Sequence, residues 1–111
     1  MVKDLNDTGV EERVLESDGL VAVAFLDFGS IPCKHFRPEL EAVASQLEAK
    51  VEFYRLDVTE NPSITDDLGV QAVPTLLVFR DGEEIARYEG PYSREALTDR
   101  ITQLLAGKRT E

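Results

Sequence analysis

The chain has 111 residues, 42% of them hydrophobic, with 22 acidic side chains against 12 basic ones and a formal net charge of −10. That length suits one domain, residues 1–111, with a modest core, and the charge argues against a sequence-independent grip on nucleic acid or an anionic membrane, both of which are polyanions. No apolar run approaches the roughly 18–20 residues that span a bilayer, and the opening Met1-Val2-Lys3-Asp4-Leu5-Asn6-Asp7 lacks the apolar stretch of a signal peptide.

Residues 2–5 have the composition of a short edge strand. Thr8-Gly9-Val10-Glu11 has the form of a capping box and predicts a helix over 9–17, with Val10 and Val14 on one face. Ser17-Asp18-Gly19 stops it. Residues 20–28 are almost wholly apolar until Asp27, the mark of a central strand covered on both faces. A polar corner follows, and apolar residues at helical spacing (Phe36, Leu40, Val43, Ala44, Leu47) predict a helix over 32–49. Pro38 lies inside it and predicts a kink, because it removes one backbone hydrogen bond and crowds the carbonyl of Lys34.

Residues 51–58 predict a second interior strand, with Val51, Phe53 and Leu56 in the core. A turn at 59–62 leads to a short helix over 63–68, ended by Gly69. Pro74 opens a strong strand over 75–80, and Asp81-Gly82 turns it into an antiparallel return over 84–89 with Ile85 inward. Ser93 caps a last helix with Leu97, Ile101, Leu104 and Leu105 on one face. Residues from about 106 to 111 are expected to form a frayed tail. Asp66-Asp67 and Glu83-Glu84 read as solvated charge. Strands alternating with helices, then a hairpin, predict an α/β class: a three-layer α/β/α sandwich on a central mixed β-sheet.

The corner at Gly29-Ser30-Ile31-Pro32-Cys33-Lys34 is where chemistry is expected, since a strand-to-helix corner meets solvent at the positive end of a helix. Cys33 is the only cysteine, so no internal disulfide can form, and the cytoplasm is the default compartment. The only histidine, His35, is five residues past Ser30 on the helix and is expected to point away. It forms no metal pair with Cys33, because residues two apart on a helix do not face each other. Ser30 has a complete structural role as a helix cap. Asp27 could accept a proton from Cys33, or simply face solvent as the strand ends.

The residues Ser30-Ile31-Pro32-Cys33-Lys34, Pro38, Val73-Pro74-Thr75, Asp81-Gly82 and Gly90 together resemble the thioredoxin family, and the element order matches from about Thr8 to Leu105. The resemblance implies a thioredoxin-like fold and protein-disulfide oxidoreductase ancestry, with a role in cell redox homeostasis and no bound cofactor or metal. It implies a cis Pro74 beside the cysteine corner. It also implies a groove of Gly29, Ile31, Pro32, Val73, Pro74 and Gly90 that takes protein partners as extended segments. A thioredoxin reductase is a further candidate partner, and a monomer is expected.

The site departs from the family pattern in three places. Ser30 stands where the family has its nucleophilic cysteine, Gly29 where it has tryptophan, and Ala24 where it has a buried aspartate. Disulfide exchange needs one thiol to attack and another to resolve, and only the resolving Cys33 is left. Cys33 itself is either a buried small hydrophobe or a one-thiol site for mixed disulfides. Two functional readings stay open. In one, the parent is an oxidoreductase with a thiol or selenol at position 30, for which serine is the isosteric replacement. In the other, the chain is a divergent, redox-inactive or monothiol binding or chaperone-like module, which the changes at Gly29 and Ala24 favour.

Overall fold

A computed structural model describes residues 2–107. The chain runs β1 (Val2–Asp4), α1 (Asp7–Val10), a π-helical turn (Glu11–Leu15), β2 (Leu20–Leu26), α2 (Ile31–Leu47), β3 (Val51–Asp57), α3 (Pro62–Asp67), β4 (Thr75–Arg80), β5 (Glu83–Glu89) and α4 (Arg94–Leu105). The five strands form one mixed sheet in the order β1-β3-β2-β4-β5. β3 pairs in parallel with β1 and β2, whereas β4 pairs antiparallel with both β2 and β5.

β2 is the centre of this arrangement. Its residues alternate between two cores: Ala22, Ala24 and Leu26 meet Phe36, Leu40, Val43, Leu97 and Ile101 from α2 and α4. Val21, Val23 and Phe25 meet Val10 and Val14 from the opposite layer, with Ile64 and Leu68 packed against that side. Every β2 residue is buried, which explains an apolar sequence with no polar alternation. The layers expected from the sequence are thus the layers found.

The differences are local. The first helix is capped by Asn6, not Thr8: the Asn6 side chain accepts from the Gly9 amide, and the Thr8 hydroxyl donates to the same oxygen. The helix then widens into the π turn, closed by the Glu16 amide on the Glu11 carbonyl. Asn6 won because starting earlier still turns Val10 and Val14 inward, with Leu5 buried beside them. β2 ends at Leu26, short of Phe28, and α2 ends at Leu47, short of residue 49. α2 nonetheless runs unbroken through Pro38. In β5, Tyr88 is more deeply buried than Ile85, after a register shift at Val78/Phe79.

Two surface expectations also change. Glu84 is not merely solvated; both its oxygens accept from Arg87, whose guanidinium also donates to the Leu68 and Gly69 carbonyls. Ala106 and Gly107 are not frayed: their amides bond back to α4, and Arg80 donates to the Leu104 carbonyl at its end. The rest of the expected tail, residues 108–111, lies outside the described residues.

The β4–β5 turn is as its sequence predicts, with left-handed φ of 51° at Asp81 and 82° at Gly82. The Asp81 carboxylate accepts from the Gly19 amide at 2.8 Å, which ties the hairpin tip to the start of β2. A Cβ on Gly82 would sit 2.1 Å from the Leu15 carbonyl oxygen, a contact no side chain can relieve because the neighbour is backbone. Gly82→Ala is therefore expected to lower unfolding stability by about 2–4 kcal/mol, from left-handed backbone strain plus displacement of the π turn. Urea denaturation measures it; a loss under about 0.5 kcal/mol would mean the tip is free to move.

Candidate functional site at the strand-to-helix corner

The corner is shaped by short hydrogen bonds after β2. The Val58 amide donates to the Leu26 carbonyl at 2.8 Å, which fixes the end of the strand against β3. Residues 27–30 form a tight turn: the Ser30 amide donates to the Asp27 carbonyl at 2.9 Å, and the Asp27 carboxylate accepts from the Gly29 amide at 3.0 Å. Ser30 is the N-cap of α2, in extended conformation, with its hydroxyl oxygen accepting from the Cys33 amide at 3.3 Å. Its carbonyl accepts the first helical bond, from Lys34. Pro32 sits in the first turn, where a missing N–H costs nothing.

Cys33 is completely buried, among the core residues beneath α2. Its sulfur accepts a hydrogen bond from the Asp27 amide at 3.4 Å. Asp27 therefore meets the thiol through its backbone, while its carboxylate is aimed at Gly29. The half-buried side chain belongs to the turn rather than to open solvent. His35 is exposed, and no hydrogen bond joins it to Ser30.

The Val73–Pro74 peptide bond is cis, as the resemblance implied. Thr75 pairs with Phe25 in the β2–β4 ladder, so the proline lies beside the end of β2 that leads into the corner. The Thr75 hydroxyl donates to the Ala72 carbonyl at 2.7 Å, and the Gly90 amide donates to the Pro74 carbonyl at 2.8 Å. The carbonyl of Pro74 is thus occupied. Among the described residues no backbone hydrogen bond reaches the amide or carbonyl of half-buried Val73.

The residues of the expected groove differ in exposure. Ile31 is 66% exposed, the most exposed large hydrophobic residue described. Gly29 and Pro32 are exposed beside it, Val73 and Gly90 are half-buried, and Pro74 is buried. Among the described residues no three His, Cys, Asp or Glu side chains are grouped to hold a metal ion. No described helix is long and apolar enough to cross a membrane.

Three features of the site were not foreseen. One is the Asp27 amide on the thiol. The second is Phe28, which turns out of the strand and lies under two guanidinium groups, Arg37 at 5.0 Å and Arg55 at 5.7 Å from the ring centroid. The third is Glu39, which accepts from the Arg94 amide at 2.9 Å and from its guanidinium at 2.8 Å. The first and third join residues with no shared motif, so no pattern announced them. Phe28 followed by glycine could have marked the strand end.

A family model described as Thioredoxin matches residues 1–103. The chain is 32% identical to a thioredoxin of Rickettsia bellii over 101 residues, covering 91% of this chain and 96% of that protein. It is 33% identical over 105 residues to the chloroplastic M-type thioredoxin of Spinacia oleracea, covering 95% of this chain and 58% of that protein. It is 36% identical over 100 residues to protein disulfide-isomerase A3 of Gallus gallus, covering 90% of this chain but only 20% of the isomerase. The chain thus spans a fifth of the isomerase and nearly all of the bacterial thioredoxin. With the five-stranded mixed sheet, the cis Val73–Pro74 bond and the Pro-Cys-Lys helix start, these matches make the chain a member of the thioredoxin family of thiol–disulfide oxidoreductases.

Proposed function

We propose that this chain binds extended segments of partner proteins in the groove formed by Gly29, Ile31, Pro32, Val73, Pro74 and Gly90, at a disulfide-exchange site whose attacking group is absent. The observation that carries the reading is the state of Ser30 and Cys33. The Ser30 hydroxyl caps the Cys33 amide, and no described base is bonded to it. The Cys33 sulfur is fully buried and accepts from the Asp27 amide. A serine without a positioned base is a poor nucleophile, and a buried thiol cannot reach a partner disulfide. Neither atom can begin the exchange, and there is no second cysteine to complete it.

Partner binding needs neither atom. The backbone of Val73 can pair with an extended segment as an added strand, and exposed Ile31 offers apolar contact alongside. The parent activity is protein-disulfide reduction in the cytoplasm by a monomer, with Cys33 resolving a mixed disulfide formed at position 30 and a thioredoxin reductase as the candidate reductant. The second reading, a natural binding or chaperone-like module, is favoured by one feature: Gly29 and Ala24 depart from the family pattern along with Ser30.

Two outcomes are expected. With the dithiothreitol background subtracted, the chain as written gives no catalytic reduction of insulin disulfides, whereas Ser30→Cys gains it, at least about 10-fold above background. Turnover by the unaltered chain would overturn the proposal, and an inert Ser30→Cys would favour the binding module. Cys33 is also expected to react with a maleimide at least about 100-fold more slowly in the native protein than in denaturing urea, since access requires local opening. Comparable rates would mean that the thiol is available for mixed disulfides.

A further inference from the structure

Glu39 lies in α2 just after Pro38, yet its contacts are with the start of α4. One carboxylate oxygen accepts from the Arg94 backbone amide at 2.9 Å. The other accepts from the Arg94 guanidinium at 2.8 and 3.3 Å. Arg94 is the first residue of α4, so its amide is one of the orphan donors of a helix start. The N-cap Ser93 accepts from the Ala96 amide, and Glu39 adds a second cap from another helix, with its negative charge at the end where the dipole favours it. The Arg94 guanidinium and amide hold the Glu39 carboxyl below its ordinary range, so the tie stays charged at neutral and mildly acidic pH.

In the proposed reading, the segment just before α4 is a wall of the groove, since Gly90 is joined to Pro74. The Gly90 amide donates to the Pro74 carbonyl, and the Tyr92 amide donates to the Gly90 carbonyl. Tyr92 packs against Tyr88 with ring centroids 5.6 Å apart. The corner stands at the other end of the same helix half, where α2 starts at Ile31. Among the described residues, Glu39 is the only α2 side chain hydrogen-bonded to residues 90–94.

We propose that Glu39 is a positioning residue of the groove: by holding Arg94 it sets the Gly90–Tyr92 wall against the helix that carries the corner, and so fixes the gap that a partner segment enters. This rests on the reading of the corner as a protein-binding groove. Glu39 touches no reacting atom, so its loss weakens capture of a partner and leaves the chemical step alone.

The test has two arms. In the unaltered background, Glu39→Ala should raise the exchange rate of the Gly90 amide about 10-fold, while that of Leu77 in the core of β4 stays within about 2-fold. In the Ser30→Cys background, with insulin as substrate, Glu39→Ala should raise KM about 5-fold and leave kcat within about 2-fold. Glu39→Gln, which still accepts from the Arg94 amide, should fall between the two in both arms. Unchanged Gly90 exchange and KM would overturn the proposal. So would a rise in Gly90 and Leu77 exchange in step, which reports general loosening. If Ser30→Cys is inactive on insulin, the reading of the site fails on that arm, and Gly90 exchange still decides whether Glu39 holds the wall.

Discussion

The structure depends on the burial of β2. This strand is covered by α2 and α4 on one face and by α1, the π turn and α3 on the other, and it is flanked by β3 and β4. A strand so enclosed has no freedom of register, because a slip of one residue would exchange its two sets of side chains between two differently shaped cores. The corner that follows inherits that fixity. The Leu26 carbonyl is held by the Val58 amide, the turn 27–30 closes on itself, and Ser30 starts α2 at a defined point. The cis Val73–Pro74 bond is located by the same strand through the pairing of Phe25 with Thr75. Cys33, Pro74 and the Val73 backbone are thus all referred to one strand.

The parts legible in the sequence are those in which local chemistry and tertiary packing agree. The apolar run over β2, the helical spacing of Phe36, Leu40 and Val43, the Asp81-Gly82 turn and the Ser93 cap each state a local preference that the core also rewards. Thr8 shows the opposite case. Its capping box is a sound local pattern, but Asn6 two residues earlier is the stronger N-cap residue type, and it is the cap used. In β5, Ile85 is buried as expected, but the deeper burial of Tyr88 was not legible. The register shift at Val78/Phe79 decides how its residues face the core, and a bulge leaves no fixed signature. At the site, the identities at Ser30, Cys33 and Pro74 were readable, whereas the Asp27–Cys33 contact depends on the exact turn between strand and helix and the Glu39–Arg94 contact arises only when distant segments meet.

Ala24, where the resemblance would put a buried aspartate, sits in a settled structure. It lies opposite Arg55 in the β2–β3 register, on the face covered by α2. A cation beside a small apolar residue there would be costly if it had no partner. Arg55 is instead turned to the sheet edge, where Asp4 meets it at 2.7 Å and Glu41 at 3.9 Å, and it lies over the Phe28 ring. The charge is met without a carboxylate at position 24. Nothing in the local electrostatics marks Ala24 as a defect, which fits a chain in which several departures have been accommodated together.

Ser30 carries the same argument to the site itself. The atom that would attack in a thiol–disulfide oxidoreductase and the atom that caps a helix occupy one position, and they need different properties. Attack needs a polarisable group that ionises readily; capping needs a compact acceptor near the Cys33 amide, which a hydroxyl supplies better than a sulfur. On the proposed function, serine removes the chemistry while keeping the helix start, which it caps. The wall at Gly90, the Val73 backbone and exposed Ile31 do not depend on that atom at all. On the proposed function, binding and turnover are separable because they draw on different parts of the same corner: turnover on two thiols, of which only Cys33 is present, and binding on the backbone geometry around them.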